Sequence, residues 1–194
     1  MGTKVGPSIA NVYVFLLEKK WLNIYNPFYY KRFIDDIFVL VQRMFLDQII
    51  ESLKHAFGNL TLNIEYGQKM VFLDLNIEID HICNKLDFSL YTKPTNTYSF
   101  LLTTSNHPNH IFKNIPKSLF IRLRRNNSKL HNFLHFSRIL TWQLIKRGYD
   151  YVYLNKLVRN IAKTNRDDLL KYKDKNNKFK QIDNKTFIFT TSFE

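Results

Sequence analysis

Tyr29-Tyr30-Lys31-Arg32-Phe33-Ile34-Asp35-Asp36-Ile37-Phe38-Val39-Leu40-Val41 is the segment on which the fold of this chain depends. Two runs rich in β-branched and aromatic residues flank two adjacent aspartates, a pattern that predicts a β-hairpin with Asp35-Asp36 at or beside its turn. Neighbouring carboxylates repel one another, and desolvation would worsen the repulsion. A pair set in a strand-like apolar frame therefore needs either an outlet to solvent or a divalent cation. Mg²⁺ suits such a pair: it takes oxygen ligands octahedrally and keeps waters and substrate phosphates in its shell. Two such ions can activate a hydroxyl and stabilise a departing pyrophosphate, the chemistry of nucleotidyl transfer. The plainer alternative is an exposed Asp-Asp turn, since Asp is common in turns for its own backbone hydrogen bonds.

Working outward, Gly2 to Ser8 reads as a loop, with Ser8 placed to cap a helix over about 9–21. That helix is apolar on nearly every side, so it is expected to be buried between other elements. Beyond the hairpin, apolar residues at 45, 46, 49, 50, 53 and 57 have helical spacing, and Gly58 closes the helix. Leu60–Tyr66, Val71–Ile79 and Leu86–Tyr91 read as strands, with Thr97–Leu102 a possible fourth. After residue 103 the character becomes helical. Pro116 stands at an expected helix start leading to Asn126, followed by helices over 129–147, 151–164 and 166–172, with Gly148 as a C-cap. Residues 171–180 read as a polar linker, and 186–193 as a final strand or a tail. The expected fold class is α+β: residues 1–103 form an antiparallel sheet with packed helices, 104–172 an all-helical basic region, and 173–194 a linker and tail.

Charge follows the same division. Residues 1–103 hold ten Lys/Arg and ten Asp/Glu, so the whole net charge of +13 lies in residues 104–194. A neutral front and a basic back suggest two modules, the second facing a polyanion such as nucleic acid, or a solvated Lys/Asn-rich surface without a partner. Lys113, Lys117, Arg122, Arg124 and Arg125 fall close together, interleaved with Phe112 and Phe120. Arginine forks suit phosphate oxygens. The helices around Pro116–Arg147 also admit a helix-turn-helix reading, against which the apolar Leu130, Phe133, Leu134, Ile139, Trp142 and Ile145 are expected to seek a core. His107/His110 and His131/His135 have spacings that a metal can use, but surface histidines are the simpler reading. The single cysteine, Cys83, excludes an intrachain disulfide framework and a Cys-built zinc site. It points to an intracellular, reducing setting, nucleus or cytoplasm being left open. No apolar run reaches the roughly 20 residues of a membrane span.

Phe33-Ile34-Asp35-Asp36 resembles the Tyr-x-Asp-Asp box of reverse transcriptases with Phe for Tyr, and Arg32–Val39 looks like the Penelope-like element reverse transcriptases in particular. Further blocks are similar in the family's order. Gly2 to Asn11 resembles the segment before the box that helps place template and incoming nucleotide. Phe72-Leu73-Asp74-Leu75-Asn76-Ile77 matches a characteristic strand, and Leu90–Thr95, with Lys93, lies where a primer-gripping region is expected. His107-Pro108, Ile115-Pro116, Leu119–Arg125, Lys146–Tyr149 and Arg166–Leu170 match later blocks.

The resemblance implies the second half of a polymerase palm followed by a thumb-like region of a retroelement RNA-directed DNA polymerase. Asp35 and Asp36 are then catalytic metal ligands for Mg²⁺ or Mn²⁺. Gly2, Thr3, Lys4, Lys93, Lys113, Lys117, Arg122, Arg124 and Arg125 are nucleic-acid contacts, to an RNA template, a DNA primer and their duplex. No small-molecule cofactor beyond the dNTP is implied. Family members hold their metals with a further aspartate on an upstream strand. No residue here matches it, and Asp74 belongs to another block. That strand is expected to precede residue 1, leaving this chain inactive alone. Asn126-Asn127 replaces the usual residues after the double arginine, and nothing here matches the GIY-YIG endonuclease that many relatives carry. The alternative from another class is a non-catalytic, helix-turn-helix-like nucleic-acid-binding protein derived from a mobile element.

Overall fold

In the computed structural model, residues 5–58 and 60–171 are described. Gly2, Thr3, Lys4, the expected tail at 173–194 and the strand at 186–193 lie outside them. Among the described residues the architecture is α+β, with two small antiparallel sheets and six α-helices.

Helix α1 (Gly6–Tyr25) begins earlier than expected. Val5 is its N-cap and Pro7 sits in its first turn, where a missing N–H costs nothing, so Ser8 is already helical. Asn26, in left-handed conformation, ends it. Strands β1 (Tyr29–Phe33) and β2 (Asp36–Leu40) form the expected hairpin. A short 3-10 turn (Arg43–Phe45) leads into α2 (Leu46–Ala56). Trp21 of α1 packs with Ile49, Leu53 and Phe57, and one face of the hairpin, through Tyr30, Ile37 and Val39, covers them. The Trp21 indole N–H donates to Ser52 Oγ at 2.9 Å, satisfying a donor that is otherwise cut off from water.

The expected burial of α1 on all sides is corrected. Only Glu18 and Trp21 are buried, while Val5, Ile9, Val12, Tyr13 and Leu16 form an exposed stripe opposite the core-facing side. Among the described residues, α2 and the hairpin cover one face only.

The second sheet is a meander of β3 (Lys69–Phe72), β4 (Leu75–Asp80) and β5 (Lys85–Leu90). The single strand expected over Val71–Ile79 is in fact two, folded back at Leu73-Asp74, with Phe72 paired to Leu75. No glycine or asparagine marks this turn, and Leu73 takes a φ of 55°. Leu60–Tyr66 is not a strand. Its alternation is real, but every described strand already pairs within the two sheets, and only Leu62 reaches a core. Thr97–Leu102 is likewise not a strand: Tyr98 is left-handed, and the Phe100 N–H turns back to the Tyr98 carbonyl.

The helical region comprises α3 (Asn109–Asn126), α4 (Leu130–Ile145), α5 (Tyr151–Lys163) and the short α6 (Arg166–Leu170). Pro116 lies inside α3 rather than at its start. Pro108 is the N-cap, and full burial of the Pro116 ring and of Phe120 beside it offsets the lost helical hydrogen bond. Phe120, Leu123, Phe133, Leu140, Leu144, Tyr149, Leu154 and Ile161 form the core. Gly148 closes α4 as expected: its N–H donates to Ile145 O and that of Tyr149 to Leu144 O, with Gly148 at φ 88°. Of the α4 residues expected to seek a core, only Phe133 is buried. Leu130, Leu134, Ile139, Trp142 and Ile145 remain exposed.

Asn127-Ser128-Lys129, the α3–α4 connection, joins this region to β5. Ser128 N–H donates to Phe88 O and Phe88 N–H to Ser128 Oγ, both at 2.9 Å, and Leu90 N–H reaches Asn127 Oδ1 at 3.3 Å. Asn127 is fully buried and donates to Leu123 O. An otherwise free strand edge is thus capped by a loop.

Candidate functional site

The β1–β2 turn contains two residues, Ile34 and Asp35, with Phe33 paired to Asp36. Only Ile34 has positive φ, at 55°, the φ pattern of a type II′ turn. Glycine usually fills that position, and a β-branched residue there costs about 1–2 kcal/mol. The strand alternation sets the two faces. Tyr30 and Arg32, opposite Val39 and Ile37, face α1 and α2. Lys31 and Phe33, opposite Phe38 and Asp36, face away. Asp36 therefore lies on the open face and Asp35 at the tip, and both are exposed. Neither forms an ion pair among the described residues.

Beneath the turn lies a polar cluster. Glu18 of α1, only 5% exposed, accepts from Tyr30 Oη and from Arg32 Nε, each at 2.5 Å and on the same oxygen. Burial, reinforced by the Glu18 carboxylate, pushes the Tyr30 hydroxyl well above the usual tyrosine range, so it stays a donor. Arg32 Nη1 donates to Asn11 Oδ1 at 2.9 Å and to the Ile34 carbonyl at 2.8 Å.

The two sheets meet where Phe38 packs on Phe72, their centroids 5.5 Å apart. The second hairpin repeats the first turn: Leu73 matches Ile34 in φ, and Asp74 follows as Asp35 does. Its carboxylate is occupied differently, by an ion pair with Arg122 of α3. A line of contacts therefore runs from the acidic hairpin through Phe38, Phe72 and Asp74 to the basic helix.

The expected basic residues divide. Lys93, Lys113 and Lys117 are exposed. Arg122 is exposed but paired with Asp74, and Arg125 donates to Leu169 O at 2.6 Å. Arg124 stands apart from the others. It is buried, donates to Asn127 O and lies over the Phe133 ring at 5.9 Å. Desolvation, then repulsion from Arg166, lowers its pKa, and its contacts in the structure are those of a packing residue. Sequence reasoning missed the outer side of α4. There Trp142, 56% exposed with Lys146 Nζ 3.3 Å above its ring, shares an exposed face of α4 with Arg138, His135 and His131. The signal was available, since no Asp or Glu occurs between Asp87 and Asp150.

Two adjacent exposed carboxylates are hard oxygen donors of the kind Mg²⁺ or Mn²⁺ accepts. As two ligands they leave most of an octahedral shell to water, phosphate or a further carboxylate. Among the described residues no group of three His, Cys, Asp or Glu is placed to hold a metal, and no helix is long and apolar enough to cross a membrane. Compared with protein-family models, with curated proteins and with solved structures, the chain finds no match in any of the three.

Proposed function

We propose that this chain is the acidic-hairpin and duplex-holding portion of an RNA-directed DNA polymerase of a retroelement, resembling the Penelope-like reverse transcriptases. The observation that carries the reading is the presentation of Asp35 and Asp36, exposed and without an ion pair among the described residues, at the tip and on the open face of a β-hairpin. Bound there, Mg²⁺ or Mn²⁺ would polarise phosphate oxygens and favour ionisation of a primer hydroxyl. The chain's own residues supply the rest. Asp35 and Asp36 provide anionic oxygens, Lys31 adds a cation to the open face, and the exposed Lys93, Lys113 and Lys117, with Lys146 beside Trp142 at the end of α4, supply cations to a phosphate backbone.

Two carboxylates are one short of the family's metal set, so activity needs a further acidic residue beyond those gathered here. On poly(rA)/oligo(dT) with Mg²⁺ or Mn²⁺, the chain alone is expected to bind the hybrid without extending the primer, and its affinity is expected to fall steeply from low to physiological salt. Binding that ignores salt, or no binding, counts against the proposal. Selection of one double-stranded DNA sequence over random DNA supports the helix-turn-helix alternative instead.

A further inference from the structure

The two hairpin turns of this chain are matched in backbone and opposite in how they are held. Ile34 and Leu73 share a φ of 55°, and each is followed by aspartate. At the second turn the arginine takes the carboxylate: Arg122 pairs with Asp74. At the first, the arginine takes the backbone. Arg32 Nη1 donates to the Ile34 carbonyl at 2.8 Å, and among the described residues no cation pairs with Asp35 or Asp36.

Arg32 is itself fixed from below. Its Nε meets Glu18 Oε1 at 2.5 Å, Asn11 Oδ1 takes a further bond at 2.9 Å, and both charged side chains are largely buried, 15% and 7% exposed. The fork geometry matters here. A guanidinium satisfies Glu18 through one nitrogen while another reaches the turn, which a lysine ammonium on a flexible stem does not reproduce. The turn needs such support, because an aliphatic side chain disfavours left-handed φ and relaxes from it when unrestrained.

We infer that Arg32, anchored on Glu18 and Asn11, is a positioning residue: it holds the left-handed Ile34 turn by its carbonyl and so presents Asp35 and Asp36 with their carboxylates unpaired. This rests on the reading of those aspartates as metal ligands, and it adds that helix α1 sets their geometry. Supporting residues of this kind change metal affinity by about 10–100-fold.

The test uses the full chain and the variants Arg32→Lys, Arg32→Met and Glu18→Gln, with two readouts. Backbone NMR without metal reports the Ile34 φ through its HN–Hα coupling and carbon shifts. Mn²⁺ titration followed by electron paramagnetic resonance reports affinity, with Asp36→Asn as control. Arg32→Met and Glu18→Gln are expected to move Ile34 out of the left-handed region and to weaken Mn²⁺ binding by about tenfold or more. Arg32→Lys is expected to rescue neither fully. Resonances of α3–α5 are expected to stay in place, which separates this effect from unfolding. Ile34 unmoved in Arg32→Met overturns the inference, and so does a loss of Mn²⁺ affinity with an unchanged turn, since Arg32 would then act by a route other than the turn, and removal of its charge alone would strengthen Mn²⁺ binding. If the unaltered chain binds no Mn²⁺ that Asp36→Asn removes, the metal reading fails, while the NMR arm still decides whether Arg32 sets the turn.

Discussion

The carboxylate of Asp74 and the guanidinium of Arg122 tie the tip of the β3–β4 hairpin to the middle of α3. Both side chains are more than half exposed, so the pair contributes at most about 1 kcal/mol to stability. Its larger effect is on Arg122, whose donors it engages. Asp74→Asn is expected to leave thermal stability nearly unchanged and to free Arg122 for phosphate. The slope of log affinity for an RNA–DNA hybrid against log salt should then steepen by about 0.9. Fluorescence anisotropy across a salt series measures it; an unaltered slope removes Arg122 from the interface.

Arg124 and its neighbours Lys113 and Lys117 separate packing from binding. Arg124→Ala loses stacking on Phe133 and the bond to Asn127 O, and is expected to cost about 2 kcal/mol of stability with the salt slope unchanged. Lys113→Gln with Lys117→Gln is expected to do the reverse, flattening the slope by up to about 1.8 while sparing stability. Urea unfolding and anisotropy on the same variants check both.

Gly148 tolerates no side chain. A Cβ there meets Thr103 Oγ1 at 2.3 Å, and its φ of 88° strains any L-residue. Gly148→Ala is expected to destabilise the chain by about 2–3 kcal/mol. Adding Thr103→Ala should recover only part, since it relieves the clash and not the backbone. Thermal denaturation distinguishes this from full recovery, which would mean the φ carries no cost.

Lys129 meets Asp87 at 2.9 Å and Asp80 at 3.4 Å, beside the capped edge of β5. The Cys83 backbone N–H and then Lys129 hold Asp80 below the ordinary aspartate range. At Asp87 burial pushes upward, but hydrogen bonds from Ser128 and Lys129 prevail and hold it low as well. Depressed carboxylates contribute stability that is present above their unfolded value, about pH 4, and lost as pH falls through the lower folded values. Lys129 is raised, by bonds to Asp87 and then Asp80, so its contribution holds up to about pH 10.4 and is lost above. The Ser128 and Phe88 amides are therefore expected to be protected from hydrogen exchange through mid-pH and to lose protection below about pH 4. Lys129→Met should make that acid transition shallower; an identical transition in the variant contradicts the assignment.

The element types were largely legible. Apolar spacing marked α2, and Gly148 marked the close of α4. The β1–β2 hairpin was readable because strand-like runs bracket Asp35-Asp36. The second hairpin was hidden, because Leu73 takes a left-handed conformation that no glycine or asparagine announces, and the single Asp74 after it lies within one continuous strand-like run. Burial was misread on α1 and α4, where composition says apolar but cannot say which faces find partners. At the site, the aspartates were visible in the sequence, but the support under them was not. Glu18, Asn11 and Arg32 are separated in sequence and meet only when α1 crosses the hairpin. Arg124 looked like its neighbours, and only the α3 face it occupies turns it inward.

The most direct test is an amide-resolved Mn²⁺ titration of the isotopically labelled chain with an RNA–DNA hybrid present. The expected result is paramagnetic broadening centred on Asp35, Asp36 and Ile37, absent when both aspartates are replaced by asparagine. Broadening centred elsewhere, or persisting in the double variant, would contradict the assignment of these carboxylates as the metal-binding tip.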